Sequence, residues 1–280
     1  MNEIKFNLQS YPPFLNKILC FYLKAREHPF KQRFVNLIVD FLGNKRLDLK
    51  TKDGFKMTLD LKDLIQRTIF FTGLWEAKLS DFIGKNITNE DVFFDIGCNV
   101  GYFSLLTASK ALKVIAIDPD PNNIKVVEKN MVLNGFTNMN TQTFGLNDKN
   151  EKLTFYRANI ANNGISGFTK RNVIDEFTTD VYSLDSLIYE QQLLPKPTFI
   201  KIDTEGWEEK ILLGAKKLLA TDPPRIIIFE AESLEDKSLT DFKKIEKILT
   251  AFHYKVTKSF NDDYGVNHIA VYSPENMTNA

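Results

Sequence analysis

The chain has 280 residues, and its 36 Lys and Arg balance its 36 Asp and Glu, so the formal net charge at pH 7 is zero. Proteins that coat nucleic acid normally have a basic surface, so we expect no nucleic-acid partner. The longest apolar runs fall far short of the roughly 18 residues that a membrane-spanning helix needs. No signal-peptide pattern occurs at the N-terminus, which predicts an uncleaved cytoplasmic protein whose two cysteines are reduced.

The first 62 residues are predicted to form a cap of two helices and a β-hairpin. Apolar side chains recur at helical spacing in residues 14–23 and again in 30–42. Basic residues flank both stripes, so contact with a membrane surface stays an open alternative, although packing against protein is favoured. Residues 46–61 alternate apolar and polar side chains on both sides of Asp53-Gly54, which predicts the hairpin.

Residues 63–276 are predicted to form a second domain in which strands alternate with helices. Strands are expected near residues 91–95, 113–118, 139–144, 198–202 and 225–230. Helices are expected near residues 101–110, 121–134, 206–220 and 239–252. This alternation predicts an α/β fold with a parallel sheet covered on both faces. Two further strand-like segments lie between 145 and 197, and the last two strands are close enough along the chain to form an antiparallel pair.

The segment "VFFDIGCNVGYFSLL", residues 92–106, places a carboxylate and two glycines where a buried strand becomes a helix. Glycine-rich turns of this kind let backbone approach a ligand. The dinucleotide pattern G-x-G-x-x-G is absent, and Asp95 precedes Gly97 and Gly101 instead. A carboxylate at this turn suits a ligand with an amino group better than one with phosphates.

A second carboxylate, Asp118, ends the next predicted strand, about 20 residues after the turn. An acid at this distance can accept hydrogen bonds from the hydroxyls of an adenosine ribose. Ribose hydroxyls at one end and an ammonium group at the other describe S-adenosylmethionine, which we therefore predict as the cofactor.

The segment "TFIKIDTEGWEEKILLGAKKLL", residues 198–219, runs from an apolar strand directly into charged residues. Ligands of open parallel sheets bind outside the carboxyl ends of the strands. Lys201, Asp203 and Glu205 are therefore the candidate catalytic residues. Glu230 and Glu232 follow the next strand, and the four carboxylates offer an alternative divalent-cation site. We assign no metal, because no His or Cys ligands accompany them.

These two segments, together with "VIAIDPDPNNIKVVEKNMVLNG", "VYSLDSL" and "PPRIIIFEAE", resemble the FkbM-type methyltransferases in order and spacing. The resemblance covers roughly residues 75–232, and "KIDTEGWE" is its most specific part. It implies a class I, Rossmann-like methyltransferase fold: a seven-stranded, mostly parallel sheet with an antiparallel last strand. It also implies S-adenosylmethionine-dependent O-methylation of a hydroxyl, commonly on a sugar, a glycan or a secondary metabolite.

The resemblance also implies which residues contact the cofactor. The methionine end would be lined by four residues of the glycine turn, Asp95, Gly97, Asn99 and Gly101. Asp118 would hold the ribose, and Gly145 and Leu146 of "FGLND" would approach the adenine. Cys98 stands where the family often has Ala, and Asp118 where it often has Glu, and both preserve the local chemistry. Glu76 precedes the first sheet strand and either reaches the site or is exposed.

Methyl transfer requires an acceptor oxygen that is held close to the methyl donor. It also requires a general base, or a metal ion that lowers the pKa of the acceptor hydroxyl. Two other functions remain open: a catalytically silent binding protein on the same fold, and an NAD-dependent oxidoreductase, which lacks support because its glycine pattern is missing. The acceptor is expected to be a small molecule or a carbohydrate. The sequence does not determine the oligomeric state.

Overall fold

The computed structural model describes residues 47–158, 164–231, 242–262 and 265–274. The helices predicted in residues 14–23 and 30–42, and Glu232, lie outside these residues. The described residues fall into two compact units, of which the first ends at Trp75 and the second begins at Glu76. Across the described ranges, helices are all too short or too polar to traverse a bilayer.

The first unit contains the predicted hairpin. Strand β1 (Leu47–Lys50) pairs antiparallel with β2 (Lys56–Leu59). Gly54 lies in the turn with φ 98°, a left-handed conformation that glycine adopts without strain. Helix α1 (Leu64–Thr72) follows and is capped by the side chain of Asp63. The hairpin prediction is therefore confirmed.

The second unit holds the alternating strands and helices. Its strands are β3 (Val92–Ile96), β4 (Lys113–Ile117), β5 (Met139–Gln142), β6 (Gly145–Leu146), β7 (Glu151–Ala158), β8 (Val173–Tyr182), β9 (Phe199–Ile202), β10 (Ile226–Glu230), β11 (Tyr254–Asp262) and β12 (Gly265–Tyr272). Its helices are α2 (Ala77–Asn86), α3 (Tyr102–Ala108), α4 (Pro121–Asn134), α5 (Glu208–Leu213), α6 (Lys216–Thr221) and α7 (Phe242–Ala251), with a π-helical turn at Ser186–Glu190.

The large sheet has the strand order β11-β12-β10-β9-β3-β4-β5. Its strands run parallel, except that β12 is antiparallel to both of its neighbours. The predicted α/β class, the mostly parallel sheet and the antiparallel last strand are confirmed. The additional strand-like segments form a separate small sheet of order β6-β8-β7.

The helix predicted over residues 206–220 is in fact two helices, α5 and α6. They meet at Gly214, where a Cβ would lie 2.1 Å from the carbonyl oxygen of Asn147. The carboxylate of Asp185 accepts hydrogen bonds from the backbone nitrogens of Lys217 and Leu218, at 2.7 and 2.9 Å. Asp185 thus caps a new helix start, which the apolar periodicity could not reveal.

The two faces of the large sheet differ in chemistry. One face is mainly apolar and packs on α5, α6 and α7, with Phe94, Ile202 and Phe229 at its centre. Side chains alternate between faces along a strand, so the opposite face carries Asp95 and Lys201, which are paired across β3 and β9. The polar residues of the site therefore share one face of the sheet.

Candidate active site

Backbone conformation in the turn between β3 and α3 is left-handed at Gly97, Asn99 and Gly101, with φ of 77°, 48° and 80°. A Cβ on Gly97 would lie 1.8 Å from the carbonyl oxygen of Asp203, and one on Gly101 would lie 2.9 Å from a methyl carbon of Val127. Both glycines are therefore required by contacts of the chain with itself. Gly97 lets the ends of β3 and β9 touch, and Gly101 lets α4 approach the turn.

Asp95 in β3 is 1% exposed. Its Oδ2 accepts a 2.5 Å hydrogen bond from the Ser104 hydroxyl on α3, whereas its buried Oδ1 has no hydrogen-bond partner among the described residues. Burial raises the pKa of Asp95, and the ammonium of Lys201 opposes that rise. Oδ1 is thus a buried acceptor that a ligand N–H group can satisfy.

Asp118 follows β4 and organises the same turn. Its Oδ2 accepts a hydrogen bond from the backbone nitrogen of Asn99 at 2.9 Å, and its Oδ1 accepts from the Asp120 nitrogen and Asn123 Nδ2 at 2.8 and 3.2 Å. A carboxylate offers about four acceptor positions, so about one is left for a ligand. Burial raises the pKa of Asp118 to about 7 in spite of these bonds. The Oδ1 of Asn99 is also buried, with no hydrogen-bond partner in the part of the chain that the structure describes.

Cys98 lies between these two acids. Its backbone nitrogen donates to the Ile117 carbonyl at 3.0 Å, and its side chain is buried. Burial, assisted by the carboxyl groups of Asp118 and Asp95, raises the pKa of the Cys98 thiol well above its ordinary value. Cys98 is therefore a neutral thiol that packs in the turn, not a nucleophile.

Lys201 and Asp203 form a buried ion pair at the end of β9. Lys201 is 2% exposed, and its Nζ donates to Asp203 Oδ2 at 2.8 Å and lies 4.7 Å from the centre of the Phe103 ring. Burial alone would lower the pKa of Lys201, but Asp203, Asp95 and Glu76 outweigh it and raise the pKa. Burial alone would raise the pKa of Asp203, and Lys201 reverses this and lowers it. Lys201 is therefore held as an ammonium group that keeps Asp203 ionised.

The loop after Asp203 is built by two glutamates with different roles. Glu205 has φ 57°, and its carboxylate accepts a long, 3.4 Å hydrogen bond from Arg171. Glu208 is buried, and its Oε1 accepts hydrogen bonds from the nitrogen and hydroxyl of Thr204 at 2.8 and 2.9 Å and from the Gly206 nitrogen at 3.3 Å. Glu208 thus fixes the loop through direct hydrogen bonds.

Three further polar residues reach the site from β10, β12 and the start of α2. Glu230 ends β10, and burial together with the neighbouring Asp203 raises its pKa far above the ordinary range. Asn267 of β12 is 1% exposed and pairs directly with Glu230 across the sheet. Its Nδ2 donates to Glu76 Oε1 at 3.3 Å. Glu76 is 9% exposed, so the alternative of plain surface exposure is wrong.

The segment predicted to lie near adenine is β6. A Cβ on Gly145 would lie 2.4 Å from the Phe168 ring, and Phe168 packs on Trp207 with ring centres 5.2 Å apart. The Trp207 indole nitrogen donates to Asn147 Oδ1 at 3.2 Å. Leu146 is 2% exposed and belongs to the apolar core. An aromatic pair therefore backs this segment.

The predicted catalytic residues converge with Glu230 at the carboxyl edge of the sheet. Carboxylate oxygens of Asp203, Glu205 and Glu230 lie within 4.8 Å of one another. The sequence did not single out Asn267, because a lone polar residue in an apolar strand resembles many others. His268, next to it, points to the apolar face, where its ring stacks on Phe229 and hydrogen-bonds Ser259 Oγ and the Ala231 carbonyl at 2.7 and 2.9 Å.

Comparisons with known proteins agree with this architecture. Residues 95–256 match the domain family described as "Methyltransferase FkbM domain". The chain is 27% identical over 175 residues to the "Hexuronic acid methyltransferase AglP" of Haloferax volcanii, a match that covers 62% of this chain and 68% of that protein. It is also 37% identical over 63 residues to an uncharacterised protein of Methanocaldococcus jannaschii, which covers 22% of this chain and 24% of that one.

Among solved structures, the methyltransferase FkbM of Methylobacillus flagellatus KT superposes with a TM-score of 0.49 at 17% identity. That superposition covers 67% of this chain and only 44% of the other. The domain match, in contrast, extends over more than half of the present sequence. The chain therefore belongs to the FkbM methyltransferase family.

Proposed function

We propose that the protein is an S-adenosylmethionine-dependent O-methyltransferase whose acceptor is a hydroxyl of a sugar, a glycan or a related small molecule. The observation that supports this cofactor is a pair of buried oxygens at the glycine turn, Asp95 Oδ1 and Asn99 Oδ1, which have no hydrogen-bond partner among the described residues. Both are acceptors, so the ligand that completes them brings N–H or O–H donors. A pyrophosphate would instead bring further negative oxygens beside Asp95.

In this proposal each part of the cofactor meets residues of suitable chemistry. The ammonium of the methionine end is bound by Asp95, and one ribose hydroxyl donates to the remaining acceptor position of Asp118. The residues that line the proposed cofactor site are Glu76, Asp95, Gly97, Cys98, Asn99, Gly101, Asp118, Gly145 and Leu146. The family supports methyl transfer, and the hexuronic acid methyltransferase from Haloferax volcanii supports a carbohydrate acceptor.

Bound S-adenosylmethionine supplies a methyl group on a sulfonium, which is already activated for displacement. The carboxyl edge of the sheet has to hold the acceptor hydroxyl and receive its proton as the C–O bond forms and the C–S bond breaks. Asp203 suits this role, because Lys201 keeps it ionised. Its basicity is low, but the hydroxyl becomes far more acidic as its oxygen is methylated, so a weak base suffices. Glu205 lies beside Asp203 and orients the acceptor.

The test is to measure cofactor binding and methyl transfer separately. Calorimetry with S-adenosylhomocysteine, the demethylated form, measures binding, and labelled S-adenosylmethionine with a panel of nucleotide sugars, oligosaccharides and uronic acid glycosides measures transfer. We expect Asp203→Asn to reduce kcat about 100-fold with little change in the affinity for S-adenosylhomocysteine. Thermal unfolding of each variant separates lost chemistry from lost folding.

Glu209→Gln is the matched control, because Glu209 lies on α5, the helix that follows the Asp203 loop, and its carboxylate is paired with Lys244 at 3.6 Å. It should transfer methyl groups at the wild-type rate. Wild-type protein that takes up neither S-adenosylmethionine nor its demethylated form contradicts the proposed enzyme. Uptake of the cofactor with transfer to no hydroxyl in the panel would favour a binding protein instead.

A further inference from the structure

Three carboxyl groups meet at the ends of β9 and β10. They belong to Asp203, Glu205 and Glu230, called here the Asp203 cluster, and one oxygen of each lies within 4.8 Å of the others. Oxygens bound to one ion at 2.1–2.4 Å are at most about 4.8 Å apart. All three side chains are partly exposed, so a solute can reach them. The cluster thus has the size of a cation site.

Several carboxyl groups interact electrostatically around the Asp203 cluster: Glu76, Asp95, Asp203, Glu205, Glu208 and Glu230. Within the described residues, Lys201 is bonded to Asp203 and Arg171 is paired with Glu205. Glu230 lies close enough to Asp203, Glu205 and Glu208 for their negative charges to repel one another. A divalent ion bound among these carboxyl groups would relieve that repulsion.

The side chain of Asn267 gives an independent indication of a ligand. It is 1% exposed, and its Oδ1 has no hydrogen-bond partner among the residues the structure covers. Because Nδ2 donates to the Glu76 carboxylate, the amide cannot turn its oxygen there without bringing two acceptors together. Asn267 is directly opposite Glu230 in the sheet, so its side chain projects from the same face of the sheet as Glu230, beside the cluster. A buried amide oxygen without a donor is a ready ligand for a hard cation.

The backbone next to Asn267 also makes room for the cluster. A Cβ on Gly265 would lie 1.8 Å from Glu230 Oε1, so the Glu230 carboxyl rests against glycine backbone. The carboxyl is therefore held between Gly265 and Asp203, at the end of the strand pair that carries Asn267. The four oxygens come from β10, from β12 and from the loop that directly follows β9, three strands that are adjacent in the sheet.

We propose that the Asp203 cluster, together with Oδ1 of Asn267, binds a hard divalent cation of the Mg²⁺, Mn²⁺ or Ca²⁺ type. An all-oxygen ligand set selects this class over Zn²⁺ or Cu²⁺. Binding of the ion is independent of the reaction, and its role rests on the proposed function: it lowers the pKa of a bound acceptor hydroxyl, so that Asp203 need not be a strong base.

The experiment uses the full chain and Mn²⁺ alone, because Mn²⁺ is paramagnetic and reports its own position. We expect saturable binding of one ion by calorimetry, displaced by Mg²⁺ or Ca²⁺. In ¹⁵N spectra the amide signals of Gly206 and Gly265, beside the cluster, should broaden before those of Val92 and Lys113 at the opposite edge of the sheet. Absence of saturable binding at millimolar Mn²⁺, or broadening elsewhere first, overturns the site.

Substitutions test the ligand assignment. Asp203→Asn and Glu230→Gln should each weaken Mn²⁺ binding by about tenfold or more. Asn267→Leu, which keeps the branched shape but removes the polar atoms, should weaken it as well, whereas Asn267→Asp, which keeps an oxygen, should not. Glu209→Gln is the control and should leave the affinity unchanged. Wild-type affinity in both carboxyl variants would show binding at unrelated surface acids and refute the proposal.

Calorimetry with S-adenosylhomocysteine on the same samples separates this inference from the proposed function. Protein that binds S-adenosylhomocysteine but no Mn²⁺ keeps the methyltransferase assignment and refutes the cation site. Protein that binds Mn²⁺ through the Asp203 cluster but no S-adenosylhomocysteine keeps the cation site and refutes the cofactor. If a variant unfolds, the wild-type ¹⁵N spectra still test the cation site, because they require no substitution.

Discussion

At the scale of single residues, the polar side chains of the site are of two kinds: those whose oxygens accept hydrogen bonds from the protein itself, and those with a buried oxygen that is left for a ligand. Glu208 is almost fully buried, and one of its oxygens accepts hydrogen bonds from three donors of its own loop. Asp95 and Asn99 each keep a buried oxygen without a donor within the described residues. The second kind of residue is the one on which ligand binding depends.

Asp118 stands between these two kinds, and its ionisation should be visible in cofactor binding. Burial raises its pKa to about 7. The ionised carboxylate can accept a ribose hydroxyl, whereas the protonated form gives up acceptor positions to its own proton. We therefore expect affinity for S-adenosylhomocysteine to rise, by up to about tenfold, as the pH increases from 6 to 8. Calorimetry at three pH values measures it.

The same pKa has an opposite consequence for folding. Because the pKa of Asp118 is higher in the folded protein than in the unfolded chain, its contribution to stability is complete below pH 4 and is lost as the pH rises through 7. Asp118→Asn should flatten both pH profiles while the fold is retained. A wild-type affinity that is constant from pH 6 to 8 would argue against contact between Asp118 and the cofactor.

How far the sequence predicts the site depends on where its residues lie along the chain. Asp95, Asp118, Lys201 and Asp203 were all predicted, because each follows or ends an apolar strand, and strand ends share one edge of a parallel sheet. Asn267 was missed, because its importance comes from lying opposite Glu230, and sheet register is not written in local periodicity.

At the scale of elements, strand and helix periods were sufficient to place the alternation, and tertiary contacts decided the rest. The strands β3, β4 and β9 and the helix α4 begin and end within a few residues of prediction. The division of residues 206–220 into α5 and α6 depends on Asn147 and on Asp185, which are far away in sequence. Local sequence cannot encode such a break.

The amino edge of the sheet, opposite the site, is held by Asp91. Its carboxylate accepts hydrogen bonds from Thr198 Oγ1 at 2.7 Å and from Arg225 Nε at 2.9 Å, which joins the beginnings of β3, β9 and β10. Burial alone would raise the pKa of Asp91, but hydrogen bonds from Arg225, Thr198 and Thr88 outweigh it and lower the pKa to about 2. The carboxylate is thus a structural connection between three strands.

Asp91→Asn should destabilise the fold by about 2 kcal/mol, since each unit of pKa corresponds to about 1.4 kcal/mol. The stabilisation is present above pH 4 and is lost as the pH falls towards 2, so the difference between wild type and variant should shrink over that range. Urea unfolding at pH 7 and at pH 3 measures both. Asp81→Asn, which breaks an exposed pair with Lys85, should have a much smaller effect. Equal losses of unfolding free energy in the two variants would contradict the structural role of Asp91.

At the scale of the whole molecule, the order of strands explains why distant segments make one site. β3 and β9 are neighbours although about 100 residues separate them, and β12 lies against β10 at the other side. Asp95 is therefore paired with Lys201, and Glu230 with Asn267, on one face of four adjacent strands. Glu230 lies two residues beyond Ile228, the β10 partner of Lys201. The alternation of elements predicts a parallel sheet, but it does not predict this order, since periodicity alone does not set the order of strands.

The same arrangement predicts which nucleotide stabilises the molecule. A ligand that binds only the folded state at 100 times its dissociation constant adds about 2.7 kcal/mol to the free energy of unfolding. For a chain of this size that raises the Tm by roughly 5 °C or more. We expect this shift with S-adenosylhomocysteine and none with NAD, because Asp95 and Asn99 offer acceptors to an amino group and would repel a pyrophosphate. Thermal unfolding with each nucleotide measures it.

Asp95→Asn provides the control, since it keeps the shape of the side chain and removes the charge that the ammonium group requires. The shift with S-adenosylhomocysteine should then largely disappear while the unliganded Tm stays close to that of the wild type, because burial already disfavours the charged form of Asp95. A shift with NAD, or one with S-adenosylhomocysteine that survives the substitution, would mean that the glycine turn recognises its ligand by chemistry other than paired acceptors, and the cofactor assignment would fail with it.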